Sequence, residues 1–253
     1  MINKEIKDMG KIKEYSVEKQ KEAVLYFDSK SRKYIYEKEE EKGLPSFERC
    51  VEIPWIKDKV SQIASKGMSL IDFGCNKAQY IIDLKKEYDL KTYGIDMKSQ
   101  GSYFVDVFFK GQYNKKIKDK LISSGTYDIA SAISAVEHAG CKMHPDKDGI
   151  EKYQMDICKD LIENSSHFFL SAPYGKRPGW AEDQSRKNLY QFDLDLVNKI
   201  IDFSSSIGKS SLTETYMLKE EYWEKSDLKE CSDCIYRNNK QGASAIVLLS
   251  IWS

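Results

Sequence analysis

Asp72, Asp96, Glu137 and His138 stand at or just beyond the ends of short apolar runs. In a protein of alternating strands and helices, that is where a side chain reaches a ligand. A carboxylate such as Asp96 can accept hydrogen bonds from two ribose hydroxyls. A histidine side chain ordinarily titrates near neutrality, so on a cleft floor His138 can take the proton of an attacking hydroxyl or amine; alternatively, it and Glu137 simply fix their loop by hydrogen bonds. Lys176 and Arg177, in the segment Tyr174-Gly-Lys-Arg-Pro-Gly-Trp180, suit a phosphate or carboxylate on a substrate, with Tyr174 and Trp180 beside them. The bland alternative for that segment is an exposed connection.

These residues need a scaffold, and the stretch Met68 to Met97 supplies its centre. Its pattern predicts a strand over 68–73, a tight turn at Gly74, an amphipathic helix from about Lys77 to Tyr88 and a strand over 92–95 ending on Asp96. Gly74 lets the backbone turn sharply and approach a ligand closely. Asn76 and Ala78 stand where a dinucleotide loop would carry further glycines, which disfavours a nicotinamide dehydrogenase. Further strands are expected over 103–109, 127–134 and 167–172, with helices over 150–163 and 192–206 between or after them. The segments 213–218 and 243–252 read as a terminal antiparallel pair.

D-F-G-C-N at Asp72 to Asn76, followed by Asp96, resembles the first two motifs of class I S-adenosylmethionine-dependent methyltransferases. The resemblance implies an α/β, Rossmann-like, seven-stranded, mostly parallel sheet with flanking helices and an antiparallel last strand. It implies S-adenosyl-L-methionine as cofactor, met by Asp72, Gly74, Cys75, Asp96, Met97 and Ser134. It also places Asp106 and Val107 against the adenine. The stretches P-W at 54–55, S-A-V-E-H-A-G at 134–140 and S-A-P-Y-G at 171–175 are similar to methyltransferases encoded with bacterial capsule and surface-polysaccharide genes. That narrower likeness implies methylation of a sugar, or of a phosphate or phosphoramidate carried on a nucleotide. His138 would serve a hydroxyl acceptor, and Lys176 with Arg177 a phosphoryl one.

Residues 1–66 are expected to form a charged, helix-rich extension to a methyltransferase-like domain over 67–253. Most of the extension's aromatics read as packing, although added N-terminal helices form lids in related enzymes, which makes Tyr26, Tyr34 and Trp55 candidate acceptor contacts. A formal charge of zero over 253 residues gives no electrostatic footprint for nucleic acid. No apolar run approaches a bilayer span and no leader opens the chain, so a cytoplasmic protein acting on a small molecule is expected. The six cysteines read as reduced thiols, and Cys231-Ser-Asp-Cys234 alone falls short of a zinc site. His138, His144, Asp146 and Asp148 raise a metal alternative, against which helix capping by the aspartates is preferred. A Rossmann-like interaction subunit without catalysis is the competing function.

Overall fold

Alternation along the chain produces the strands, and burial on both faces selects their order. The computed structural model describes residues 25–28, 33–36, 48–75, 78–99, 102, 105–144, 146–176, 189–219, 222–234 and 243–253. Its strands are β1 (Leu25–Asp28), β2 (Lys33–Tyr36), β3 (Ser69–Phe73), β4 (Lys91–Asp96), β5 (Val107–Lys110), β6 (Tyr127–Ile133), β7 (Ser165–Pro173), β8 (Ser210–Lys219), β9 (Tyr222–Ser226) and β10 (Ala245–Trp252). The helices are α1 (Arg49–Ser61), α2 (Gln79–Tyr88), α3 (Lys115–Ser123), α4 (Lys147–Glu163), α5 (Leu194–Ser206) and the single turn α6 (Leu228–Cys231).

Eight strands form one sheet in the order β5-β4-β3-β6-β7-β10-β8-β9. β5, β4, β3, β6 and β7 run parallel, while β10 is antiparallel to both β7 and β8. This is the expected Rossmann-like sheet with one strand more than the seven expected. The addition is β9, which folds back on β8 as an edge hairpin.

Successive residues of the central strands enter opposite cores. In β10, Val247 and Leu249 join the side covered by α3, α4 and α5, through Ile117, Leu121, Ile157, Leu161, Leu196 and Ile200. Ile246 and Leu248 join the side covered by α1 and α2, through Trp55, Ile56, Val60, Ile81 and Leu84. Each such buried aliphatic side chain contributes roughly 1.5–3 kcal/mol, so the two cores fix the strand register without help from the loops.

One expectation about the N-terminal third changes. Residues 25–28 and 33–36 pair as an antiparallel ribbon with Tyr26 opposite Ile35 and Phe27 opposite Tyr34, where helix was expected. Alternating aromatic and charged residues satisfy a period of two as well as a helical one. Tyr26 and Tyr34 lie in this ribbon, and their side chains fall outside the described residues. By contrast, α1 packs Trp55, Ile56 and Val60 on the main core, in keeping with the reading of the extension's aromatics as packing.

Candidate functional site

Parallel strands that start together end together, so β3, β4 and β6 deliver their C-terminal residues to one edge of the sheet. There the chain leaves β3 at Gly74, β4 at Asp96 and β6 at Ser134.

Gly74 adopts φ +83°, a left-handed conformation that favours glycine. A Cβ on it would lie 2.4 Å from the Cβ of Ala135, so the turns after β3 and β6 touch through the missing side chain. The Gly74 amide donates to the Ile95 carbonyl at 2.8 Å, tying the turn to β4. Beyond it, α2 begins at Gln79 with Ala78 in the capping position and no side-chain cap. By contrast, Asn114, Asp146 and Asp193 cap α3, α4 and α5 on the other face. The uncapped amides of α2 are suited to a polar ligand at the edge.

Asp96 is half-buried at the rim, where its Oδ1 accepts the Lys98 amide at 2.6 Å, and the adjoining Met97 is 60% exposed. Together they offer a carboxylate and an apolar surface to one ligand. Asp72 and Cys75 point into the protein. The Asp72 carboxylate receives the Tyr80 hydroxyl and, at 2.6 Å, the Ser131 hydroxyl; burial pushes its pKa up to about 7. Its side chain therefore braces the turn from below. The buried Cys75 sulfur packs so closely on Gly94 that a Cβ there would lie 2.5 Å from it, and burial raises the thiol's pKa.

Asp106 and Val107 are not brought to this edge. They stand at the opposite end of the sheet, because β5 begins at Val107 and runs parallel to β4. The Asp106 Oδ2 accepts the Thr92 amide at 2.9 Å and the Thr92 hydroxyl at 3.0 Å, and its Oδ1 meets Lys85. Val107 pairs with Tyr93, near the start of β4. These contacts hold the Asp106 pKa below its ordinary value even though burial pulls the other way.

The turn after β6 carries the site's second half. Ser134 adopts φ +43°, and its amide donates to the Ser171 carbonyl at 3.0 Å. Its hydroxyl donates to Glu52 Oε1 at 2.7 Å, while Arg49 Nη1 donates to Glu52 Oε2 at 2.5 Å. Arg49 also reaches the carbonyls of Ile133 and Ser134, at 3.4 and 3.5 Å. Arg49 and Glu52 were missed from the sequence. The available signal was a Glu48-Arg49…Glu52 group in the first turn of a helix whose Val51, Trp55 and Ile56 are buried.

Val136 to His138 form one 3-10 turn. Glu137 is 1% exposed, and its own backbone carbonyl accepts the Tyr190 amide at 2.8 Å. Burial first, then the charges of Glu52 and Glu48, push its carboxyl up to about 8 against the pull of Arg49. The His138 side chain is half-exposed, with Nε2 3.8 Å from Glu137 Oε1. An outward imidazole thus stands over a buried carboxyl.

The remaining candidates are scattered. Trp55 is 1% exposed, donates its ring N–H to Glu214 at 3.0 Å and meets Phe169 edge-on, so it belongs to the core and not to a pocket wall. Tyr174 is likewise buried and donates to the Leu228 carbonyl at 3.1 Å. Lys176 is exposed and its amide donates to the Cys234 carbonyl at 2.9 Å, whereas Arg177 and Trp180 lie outside the described residues. The Cys231–Cys234 segment therefore anchors the start of that loop, and Gln191 Nε2 reaches the same carbonyl at 3.3 Å. Asp146 caps α4 through the Gly149 amide at 2.7 Å, and the His144 ring packs on Tyr153.

No protein-family model and no curated protein matches the chain. Among solved structures it is similar to a precorrin-6y C5,15-methyltransferase from Geobacter metallireducens GS-15, at 10% identity over 86% of this chain and 95% of that one, with a TM-score of 0.46. A SAM-dependent methyltransferase from Archaeoglobus fulgidus is 12% identical over 79% and 94%, TM-score 0.46. A TehB-like SAM-dependent methyltransferase from Corynebacterium glutamicum is 9% identical over 78% and 86%, TM-score 0.41.

Proposed function

We propose that the chain is an S-adenosylmethionine-dependent methyltransferase that O-methylates a small polar acceptor. The observation that carries this reading is the meeting of three strand ends: Gly74 against Ala135, Asp96 at the adjoining rim, and the Ser134–His138 turn beside them. Gly74 leaves backbone where a Cβ would block it, Asp96 offers a carboxylate at the rim to a ribose, and Met97 offers an apolar surface to a base. The residues present suit that cofactor, which supplies an electrophilic methyl group on a sulfonium.

The chain's own contribution is positioning and a proton acceptor. As the acceptor oxygen takes up the methyl group that the bound cofactor would supply, its proton would pass to the outward imidazole of His138. Glu137, behind that ring, stabilises the resulting positive charge once it is ionised itself.

Among acceptors, a sugar hydroxyl is preferred to a phosphate or phosphoramidate oxygen. Among the described residues the turn beside His138 is lined by Glu48, Glu52 and Glu137 against Arg49, which favours neutral or cationic groups over anions. A place in bacterial capsular polysaccharide synthesis is supported by the resemblance of residues 134–140 and 171–175 to enzymes of such gene clusters.

Isothermal titration of the cofactor-stripped chain with S-adenosylmethionine and S-adenosylhomocysteine tests the reading. Micromolar binding that falls at least about tenfold in Asp96→Ala is expected, corresponding to the loss of a charged hydrogen-bond acceptor. Absence of binding in folded wild-type protein would replace this reading with the interaction-subunit one.

A further inference from the structure

We infer that the acceptor carries a cationic nitrogen, seated by the carboxylates of Glu137 and Glu48. The first turn of α1 faces the turn after β6 through the Arg49 contacts to Ile133 and Ser134 and the Glu52 contact to Ser134, and Glu48 and Glu137 act electrostatically on the same guanidinium as Glu52. Both Glu52 oxygens are used, one by Ser134 and one by Arg49. Arg49 is committed to Glu52 and to the carbonyls of Ile133 and Ser134.

That leaves Glu137 Oε2 and Glu48 Oε2, each shut away from water without a hydrogen-bond partner. Two orphaned acid oxygens in one cluster are costly, since each gives up hydration without replacement. Burial accordingly raises the pKa of both groups in the ligand-free protein. A primary ammonium answers both deficits: it brings three N–H donors and the missing positive charge. A phosphate would meet carboxylates only, and a neutral hydroxyl would satisfy one oxygen without balancing the charge.

A protonated nitrogen has no lone pair with which to attack a methyl group. The ammonium is therefore a handle, and the methyl group goes to a neighbouring oxygen of an amine-bearing sugar or amino alcohol. That last step rests on the methyltransferase reading, whereas the cation site does not. Seating the ammonium also keeps Glu137 ionised beside His138, so recognition of the handle strengthens the proton acceptor.

The test uses the full chain with methylammonium chloride, inorganic phosphate and magnesium chloride as probes at constant ionic strength, with and without S-adenosylhomocysteine. Binding is followed by ligand-observed NMR on wild type, Glu137→Gln and Glu48→Gln, with circular dichroism confirming folding; either variant suffices if the other does not fold. Methylammonium is expected to bind wild type and to bind the variants about tenfold more weakly. Equal binding to wild type and variants, no methylammonium binding, or preferential binding of phosphate or magnesium at this cluster would overturn the inference. If methylammonium behaves as expected while S-adenosylhomocysteine fails to bind, the cation site stands and the methyltransferase reading falls.

Discussion

The hydroxyl of Ser134 donates to Glu52 Oε1 at 2.7 Å, joining the first turn of α1 to the strand-end turn after β6 across 82 positions of sequence. Ser134 holds φ +43°, a conformation that costs a serine about 1 kcal/mol and persists only where its surroundings impose it. Glu52 imposes it, and so aims the residues that follow, Glu137 and His138. Glu52→Ala removes both the Ser134 acceptor and the Arg49 partner, and should destabilise the fold by about 2 kcal/mol or more. Ser134→Ala should cost about 1 kcal/mol. Denaturant unfolding of the two single variants and the double variant checks this, with the double falling short of their sum.

Gly74→Ala should destabilise the protein by more than about 1 kcal/mol and abolish S-adenosylhomocysteine binding, because the added Cβ meets Ala135 and the backbone is left-handed. Adding Ala135→Gly removes the collision but not the strained φ. Calorimetry should therefore show the double variant recovering part of the stability.

The raised carboxyls of Asp72 and Glu137 set a pH dependence. Both bind a proton more tightly when folded than unfolded, so the native state holds the extra proton between the unfolded values of 3.8 and 4.5 and the folded values of about 7 and about 8. Stability should therefore fall as pH rises through that window and level off above it. In Glu137→Gln the decline should be shallower. Thermal unfolding from pH 5 to 9 reads this directly: the variant gains on wild type at the alkaline end, and parallel curves would contradict the assignment.

Asp106→Ala separates structure from ligand binding. Its contacts with Thr92 and Lys85 lie at the far end of the sheet, so the substitution should lower stability by about 1 kcal/mol while leaving cofactor affinity within twofold of wild type. Titration of the folded variant with S-adenosylhomocysteine decides, and a tenfold loss would return Asp106 to the adenine position implied by the resemblance.

The sequence by itself determined the strand–turn–helix–strand at residues 68–97, the buried strands 127–134 and 243–252, and the stations of Gly74, Asp96 and His138. Each is a local matter, since alternation selects strand, an apolar run selects a buried strand, and a glycine permits a turn. Tertiary structure decided what depends on contacts between distant segments. Asp106 fell inside the strand expected over 103–109 and was matched to the adenine by resemblance, but β5 pairs with β4 only from Val107, which leaves the acid at the strand's start. Trp55 and Tyr174 looked like pocket aromatics, but Glu214 and the Leu228 carbonyl give their polar atoms partners that let them be buried. The cluster of Glu48, Arg49, Glu52 and Glu137 shows in the sequence only as a charged helix start, because Glu137 joins the other three only when α1 packs across the end of β6. Periodicity reports which face of an element is apolar; it does not report which distant carboxylate faces which arginine.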